Sequence, residues 1–296
     1  MSLAKAGEVP ASLHMGAGQE VAQISALAAL GPRDPMLYGH RGVGYWIARG
    51  VEPEVILCDI AYKQGGTNHG KGGPMHLVDP SRGVLGETGS LGGNFVIGVG
   101  MAFAEHYQQT GNVAIVFFGD GTANRGQFHE ALNFAGLRKL PIIFFCENNG
   151  WGLSTPTAAA SAVVDIARRA AGYDMPGVTV DGRDADAVYG ATRDAADRAR
   201  AGDGATLLEA KVDRLHAHYL GDREPYRTAD QKAVLWAHDP LARLVTQLEG
   251  MGIDIAAIEA EVTDRVETAV AYMRAQPLVD AATVRDGVYG DNGPWR

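Results

Sequence analysis

The sequence is poor in cysteine, in aromatic residues and in positive charge, and it contains no long apolar run. Its two cysteines, Cys58 and Cys146, lie far apart inside apolar stretches, which predicts buried free thiols in a reducing compartment rather than a disulfide or a metal-binding pair. No uninterrupted apolar segment approaches the roughly 20 residues of a membrane span, and no basic-then-apolar leader opens the chain. A soluble, cytoplasmic protein is therefore expected. The 26 Lys and Arg are outnumbered by 35 Asp and Glu, and the resulting charge of −9 argues against nucleic acid or an acidic membrane as partner, since both call for a basic stripe.

Glycine, by contrast, is abundant, at 39 of 296 residues, which points to tight turns and close backbone approaches. The chain reads as one α/β domain over residues 1–274, in three zones, with an extended tail at 275–296. Zone 1–110 alternates helical patterns with the loops Gly39-His40-Arg41-Gly42-Val43-Gly44 and Gly65 to Met75, both suited to approaching something closely. Zone 111–235 alternates strands and helices: a strand over Asn112 to Phe118, a helix over Gly126 to Leu137, and a strand over Pro141 to Cys146. Further strands at Val178 to Val180 and Thr206 to Lys211, flanking a helix over Asp184 to Ala201, predict a doubly wound, mostly parallel sheet flanked by helices. Zone 239–274 has apolar residues at helical spacing (Ile255, Ile258, Val262, Val266, Val270). The tail carries Gly287, Gly290, Gly293 and Pro294.

The chemistry concentrates at two strand ends. Gly119-Asp120-Gly121 directly follows one apolar strand and Asn148-Asn149 follows the next, 29 residues from Asp120 to Asn149. Each piece alone reads equally as a turn or a loop. Together, in a βαβ unit, they set a carboxylate and an amide side by side, a donor set for a hard cation such as Mg2+, beside glycines that let backbone N–H groups reach phosphate oxygens.

The run from Phe117 to Pro156 (FFGDGTANRGQFHEALNFAGLRKLPIIFFCENNGWGLSTP) resembles the thiamine-diphosphate-binding fold, and within it the alpha subunits of pyruvate, branched-chain 2-oxo-acid and acetoin dehydrogenases. The resemblance extends over His14 with Gly18-Gln19-Glu20, Gly39 to Gly42, Gly70 to His76, Gly86 to Gly93 and His218 through Arg227. It implies that Asp120, the Asn149 side chain and the Trp151 backbone oxygen hold Mg2+, that Gly119, Gly121 and Thr122 lie at the diphosphate, and that Arg41 and His218 contact it. A guanidinium fork and an imidazole are both apt donors to phosphate. It also implies that His40 occupies a place where relatives often carry an aromatic residue, that Gly89 and Leu91 present backbone to the aminopyrimidine ring, and that His14, with His218, reaches the reacting carbon. Read without the resemblance, Arg41 is a surface ion pair, His218 a core histidine with His216 as its competitor, Gly89 and Leu91 part of a glycine-rich turn, and His14 a loop residue.

The resemblance further implies an enzyme that cleaves the C–C bond next to a carbonyl of a small-molecule donor, a 2-oxo acid or an acetoin-like compound, with thiamine diphosphate and Mg2+ as cofactors. The acyl or hydroxyalkyl unit passes to a lipoyl transferase or an acyl carrier protein. The family's pyrimidine-protonating glutamate has no counterpart in the motifs of this chain, which predicts an obligate beta subunit in an α2β2 heterotetramer. Two departures stand out. Tyr219 occupies the place of a regulatory serine, and Glu87-Thr88-Gly89-Ser90 is not the usual wording of the pyrimidine loop. Two further readings stay open: a transketolase-like transfer of a two-carbon unit from a ketose phosphate to a carrier protein, for which Lys63, Lys71 or Arg82 would have to line the entrance, and a non-catalytic paralogue.

Overall fold

The computed structural model describes residues 2–286. Its centre is a five-stranded sheet of β1 (Met36–Leu37), β2 (Ala114–Gly119), β3 (Ile142–Asn148), β6 (Gly177–Asp181) and β7 (Thr206–Lys211); β4 (Trp151–Gly152) and β5 (Thr155–Pro156) form a separate antiparallel hairpin. The strand order is β1-β2-β3-β7-β6 and every pairing in the large sheet is parallel, with Ile115 opposite Ile143 and Phe145 opposite Leu208. Successive side chains of a strand point to opposite faces, and here both faces are buried. Ile115, Phe117, Ile143 and Phe145 pack into one core with Tyr45 and Trp46, while Ala114, Val116, Phe118, Phe144 and Cys146 pack into the other with Phe95 and Phe128. That is why β2 and β3 are continuously apolar rather than alternating. Cys58 and Cys146 are buried free thiols.

The helices are α1 (Ser2–Lys5), α2 (Glu20–Ala28), α3 (Val43–Ala48), α4 (Pro53–Ile60), α5 (Gly93–Gln108), α6 (Gly126–Arg138), α7 (Thr157–Ala160), α8 (Ala185–Arg200), α9 (Ala229–Ala237), α10 (Pro240–Gly250) and α11 (Ile255–Ala275). Local chemistry sets several starts: Asp184 accepts from the Ala187 N–H at 3.0 Å to begin α8, Asp239 accepts from Leu241 at 3.0 Å to begin α10, and Thr228 and Gln231 form a reciprocal capping box on α9. No described helix is long and apolar enough to cross a membrane.

The elements expected in zone 111–235 are all present, with ends displaced by one or two residues. Zone 239–274 forms α10 and α11, whose stripe of Ile258, Val262 and Val266 faces outward, while Ala269 and Met273 are buried. The loop from Gly65 to Met75 does not approach the ligand cavity. It wraps the buried Asp59, which accepts from the Thr67 N–H and hydroxyl, both at 2.8 Å, and from the Gly70 N–H at 3.2 Å. A Cβ on Gly66 would lie 2.0 Å from an Asp59 carboxylate oxygen, so glycine is needed for this internal fit. The same region is stitched to the chain's end: Gln64 N–H donates to Pro277 O at 3.0 Å, Val279 N–H to Tyr62 O at 2.9 Å, and Lys63 Nζ to Gln276 O at 2.9 Å. The expected extended tail therefore begins with paired backbone and a short turn at Ala281–Thr283; Gly287, Gly290, Gly293 and Pro294 lie outside the described residues.

Candidate active site

Parallel strands deliver their carboxyl ends to one edge of the sheet, and there the chain encloses a cavity of about 460 Å3. Its wall includes Gly119, Asp120, Gly121 and Thr122 after β2, Asn149 after β3, Trp151 on β4, His40 and Arg41 in the loop that follows β1, His218 in the loop beyond β7, and Leu91 at the rim, which is half exposed. His14 stands one layer behind, its ring 4.6 Å from that of His40 and 4.8 Å from that of His218. Gly89 is not brought to the wall. It sits on an exposed turn with its α-carbon toward the His76 ring, because the chain bends at Glu87 to Ser90 before entering α5. Asn148 also points away, donating to Glu209 at 2.6 Å across the β3–β7 pairing.

One part of the cavity wall carries a carboxylate and an amide, a donor set that could hold a cation. Asp120 is 2% exposed, and its carboxylate accepts the Thr157 hydroxyl. Burial pushes its pKa above the usual carboxylate value, with the Thr157 bond opposing. Asn149 is oriented through Gln19, whose side-chain oxygen accepts from Asn149 Nδ2 at 3.2 Å, and its own Oδ1 accepts from the Trp151 N–H at 3.1 Å. Gln19 and Gln23 in turn donate to the buried Glu147 at 3.0 and 2.9 Å, and Tyr45 donates to the other carboxylate oxygen. The glycines close the floor: a Cβ on Gly121 would lie 3.1 Å from the Gly152 α-carbon, leaving no space between the β2 end and the hairpin.

The other end is cationic. Arg41 is 5% exposed, donates to Met15 O at 2.6 Å, and lies 3.4 Å from His218 Nδ1. Arg214 is buried too; it donates to Leu153 O and the Tyr226 hydroxyl, both at 3.1 Å, and its Nε has no partner. Burial, and then the neighbouring Arg214 charge, lowers Arg41 to about 10. Burial, and then the Arg41 charge, brings His14 down to about 4 and His218 to about 3, and holds His40 well below its ordinary value. The three imidazoles have ring nitrogens within 4.8 Å of one another, but the two adjacent guanidiniums favour an anion over a metal ion here. His218 is fixed by Asp222, which accepts from its backbone N–H at 3.0 Å, while His216 turns aside to meet Trp236 edge-to-face, with ring centroids 5.2 Å apart.

Gln19, Glu147, Thr157 and Arg214 escaped the sequence reading. Glu147 carried a signal, since a lone acid inside the apolar run IIFFCEN calls for buried donors. Arg214 carried none, because its burial depends on the loop from His216 to Arg227 folding over it.

The model of the family described as dehydrogenase E1 component matches residues 1–281. The chain belongs to that family. Among its E1 relatives are the acetoin:2,6-dichlorophenolindophenol oxidoreductase alpha subunits of Bacillus subtilis, 40% identical over 286 residues (96% of this chain, 86% of the relative), and Cupriavidus necator, 40% identical over 288 residues with the same coverage. The pyruvate dehydrogenase E1 component alpha subunit of Zymomonas mobilis is 34% identical over 277 residues (92% and 78%). The dehydrogenase E1 family implies thiamine diphosphate, in agreement with the resemblance drawn from the sequence. A cavity walled by a carboxylate, an amide and the Arg41 guanidinium, with the buried Arg214 beside His218, fits the metal and diphosphate of that group.

Proposed function

We propose that this chain is the alpha subunit of a thiamine-diphosphate- and Mg2+-dependent dehydrogenase that cleaves the C–C bond beside the carbonyl of an acetoin-like or 2-oxo-acid donor and delivers the acyl unit to a lipoyl or carrier-protein acceptor. The observation that carries this reading is one cavity whose wall carries Asp120 and Asn149 together with Arg41 and His218, with the buried Arg214 set against His218. In it, Asp120, Asn149 and the Trp151 backbone oxygen hold Mg2+, and Gly121 and Thr122 offer close backbone to the diphosphate. Arg41, Arg214 and His218 hold its charge with fixed donors that need no reorganisation. When bound, thiamine diphosphate supplies a carbanion that adds to the donor carbonyl and stores the electrons released on cleavage. His14 and His40, neutral at pH 7, each keep a ring nitrogen without a partner, Nδ1 and Nε2, free to give or accept a hydrogen bond when the donor is bound. Trp151 and Tyr226, their rings 5.7 Å apart, shape the donor side.

Greater identity to the acetoin-linked relatives than to the pyruvate one supports an acetoin-type donor. A ketose-phosphate donor is not favoured: Lys63 and Lys71 are spent on chain-end carbonyls and Arg82 pairs with Asp79, so none of them lines this cavity. The reading includes a beta subunit in an α2β2 heterotetramer, as relatives named subunit alpha suggest, and a cytoplasmic location consistent with two buried thiols. The test is calorimetric titration of thiamine diphosphate with Mg2+ into the chain alone and into the α/β pair. Tight binding only by the pair, abolished by Asp120→Ala, is expected; no binding by the pair would return the chain to the non-catalytic reading.

A further inference from the structure

Two buried polar residues of the cavity wall, Gln19 and Glu147, have no part in the proposed chemistry. Glu147 lies near the end of β3, and Asn149 stands two residues further on, a spacing at which an extended chain turns side chains to the same side. Asn148 between them points the other way, to Glu209. The start of α2 lies across the first side. Gly18, at φ +92°, seats it against the Asp213 carbonyl, where a Cβ would meet the oxygen at 2.4 Å. Gln19 and Gln23, one helical turn apart, then both donate to Glu147 Oε1, at 3.0 and 2.9 Å. Tyr45 occupies the other carboxylate oxygen, Oε2. Gln23 bonds this way although its own Oε1 is left buried without a partner. Glu147 Oε1 is therefore an acceptor for two amides, wherever the proton between Tyr45 and Oε2 resides.

A side-chain amide has a donor end and an acceptor end of nearly the same shape, and only its partners decide which way round it sits. With Nε2 drawn to Glu147, Gln19 presents Oε1 to its other neighbour, and that oxygen accepts from Asn149 Nδ2 at 3.2 Å. Nδ2 is thereby turned towards α2. Asn149 Oδ1 is left on the side of the hairpin, where the Trp151 N–H donates to it at 3.1 Å and favours the same orientation. We propose that Glu147 is a positioning residue for the cation: acting through Gln19, it sets the polarity of the Asn149 amide so that an oxygen, not an N–H, is offered to the metal. The inference rests on the proposed function and adds to it a directional chain from Glu147 through Gln19 to Asn149.

The experiment measures Mg2+ affinity by calorimetry in the α/β pair with excess thiamine diphosphate. Glu147→Gln keeps the shape but donates as well as accepts, which frees Gln19, and with it Asn149, to turn round. Mg2+ is expected to bind about tenfold more weakly, the lower part of the range for losing a partner behind a metal ligand. The same substitution is then made in an Asn149→Asp background. A carboxylate has no nitrogen end, so nothing is left there for Glu147 to orient. Glu147→Gln is expected to change Mg2+ affinity in that background by less than about twofold, or to strengthen it as the released Gln19 turns its amine to the new acid. An equal loss in both backgrounds marks Glu147 as general support for the site and overturns the proposal. So does no loss in either, or an Asn149→Asp pair that binds no Mg2+ although it offers an oxygen. All three leave the proposed function standing, whereas failure of the wild-type pair to bind Mg2+ and cofactor overturns both. If Glu147→Gln does not assemble, Gln19→Met, which removes the link at nearly the same volume, serves in the same cycle with the same expectations.

Discussion

Replacing Asp120 by Asn should make the unliganded protein more stable and the liganded one weaker. The Asp120 carboxylate is almost fully buried, and the Thr157 hydroxyl, backbone N–H groups and the Arg214 charge only partly offset its desolvation, so its charge is incompletely compensated until a cation arrives. An amide keeps the shape and can still accept that hydroxyl. Relieving the desolvation should add about 1–3 kcal/mol to the unliganded state, or on the order of 2–6 °C in Tm for a chain of this size. The sign with pH follows from the raised pKa. Asp120 is protonated in folded and unfolded chains alike below 3.8, so the advantage of Asn is absent there and grows as pH rises through the folded value. With Mg2+ and thiamine diphosphate the order inverts. Wild type gains about 2.7 kcal/mol at a ligand concentration of roughly 100 Kd, whereas the variant, lacking the charged ligand, should lose on the order of 3 kcal/mol of affinity, about 100-fold. Thermal scans of the α/β pair with and without cofactor read both effects. A lower unliganded Tm for Asp120→Asn, or an undiminished Mg2+-dependent shift, would refute the argument that this carboxylate is held desolvated for a metal.

Three other outcomes follow from the same geometry. Because His14 and His218 are held at about 4 and about 3 against an ordinary 6.5, they take up protons only in the unfolded chain across that interval, so stability should fall as pH drops from 6.5 towards 4; Arg41→Met should raise both values in NMR titration, and unmoved resonances would exclude the like-charge effect. Gly121→Ala, whose new methyl would press on Gly152, should cost about 1–2 kcal/mol in a denaturant melt and weaken cofactor binding; an unchanged midpoint would mean that the hairpin yields freely. Trp151→Ala should alter the KM ratio between acetoin and pyruvate while the Mg2+ concentration for half-maximal cofactor binding stays within about twofold, since the metal ligand proposed at this residue is its backbone oxygen; a large change in Mg2+ dependence would remove Trp151 from that role.

The sheet was legible because burial on two faces writes itself into sequence as unbroken apolar strands, and because Asp120 and Asn149 follow two such strands directly. The two-residue β1 carries no periodicity to detect, and β4–β5 exists only because Gly152 can lie against Gly121. The glycine-rich stretch from Gly65 to Met75 was legible only as a close approach: glycine reports that something comes close, not what it is, and here it is the buried Asp59. The cationic end was half visible. Arg41 sits among glycines, whereas Arg214 acquires its meaning from Tyr226, Leu153 and His218, all brought to it by tertiary folding.

The stitch between Tyr62–Gln64 and Gln276–Val279 bears on how the molecule reaches this state. Its partners are more than 200 residues apart, among the longest loop closures in the chain. Contacts of such separation carry the largest entropic delay and belong to the last steps of folding. Once closed, they fasten the start of the Gly65 to Met75 loop to the chain's end, so cleavage just before Gln276 would leave the Lys63 ammonium, the Gln64 N–H and the Tyr62 carbonyl without their partners, while the strand ends that carry Asp120 and Asn149 kept every pairing of their own.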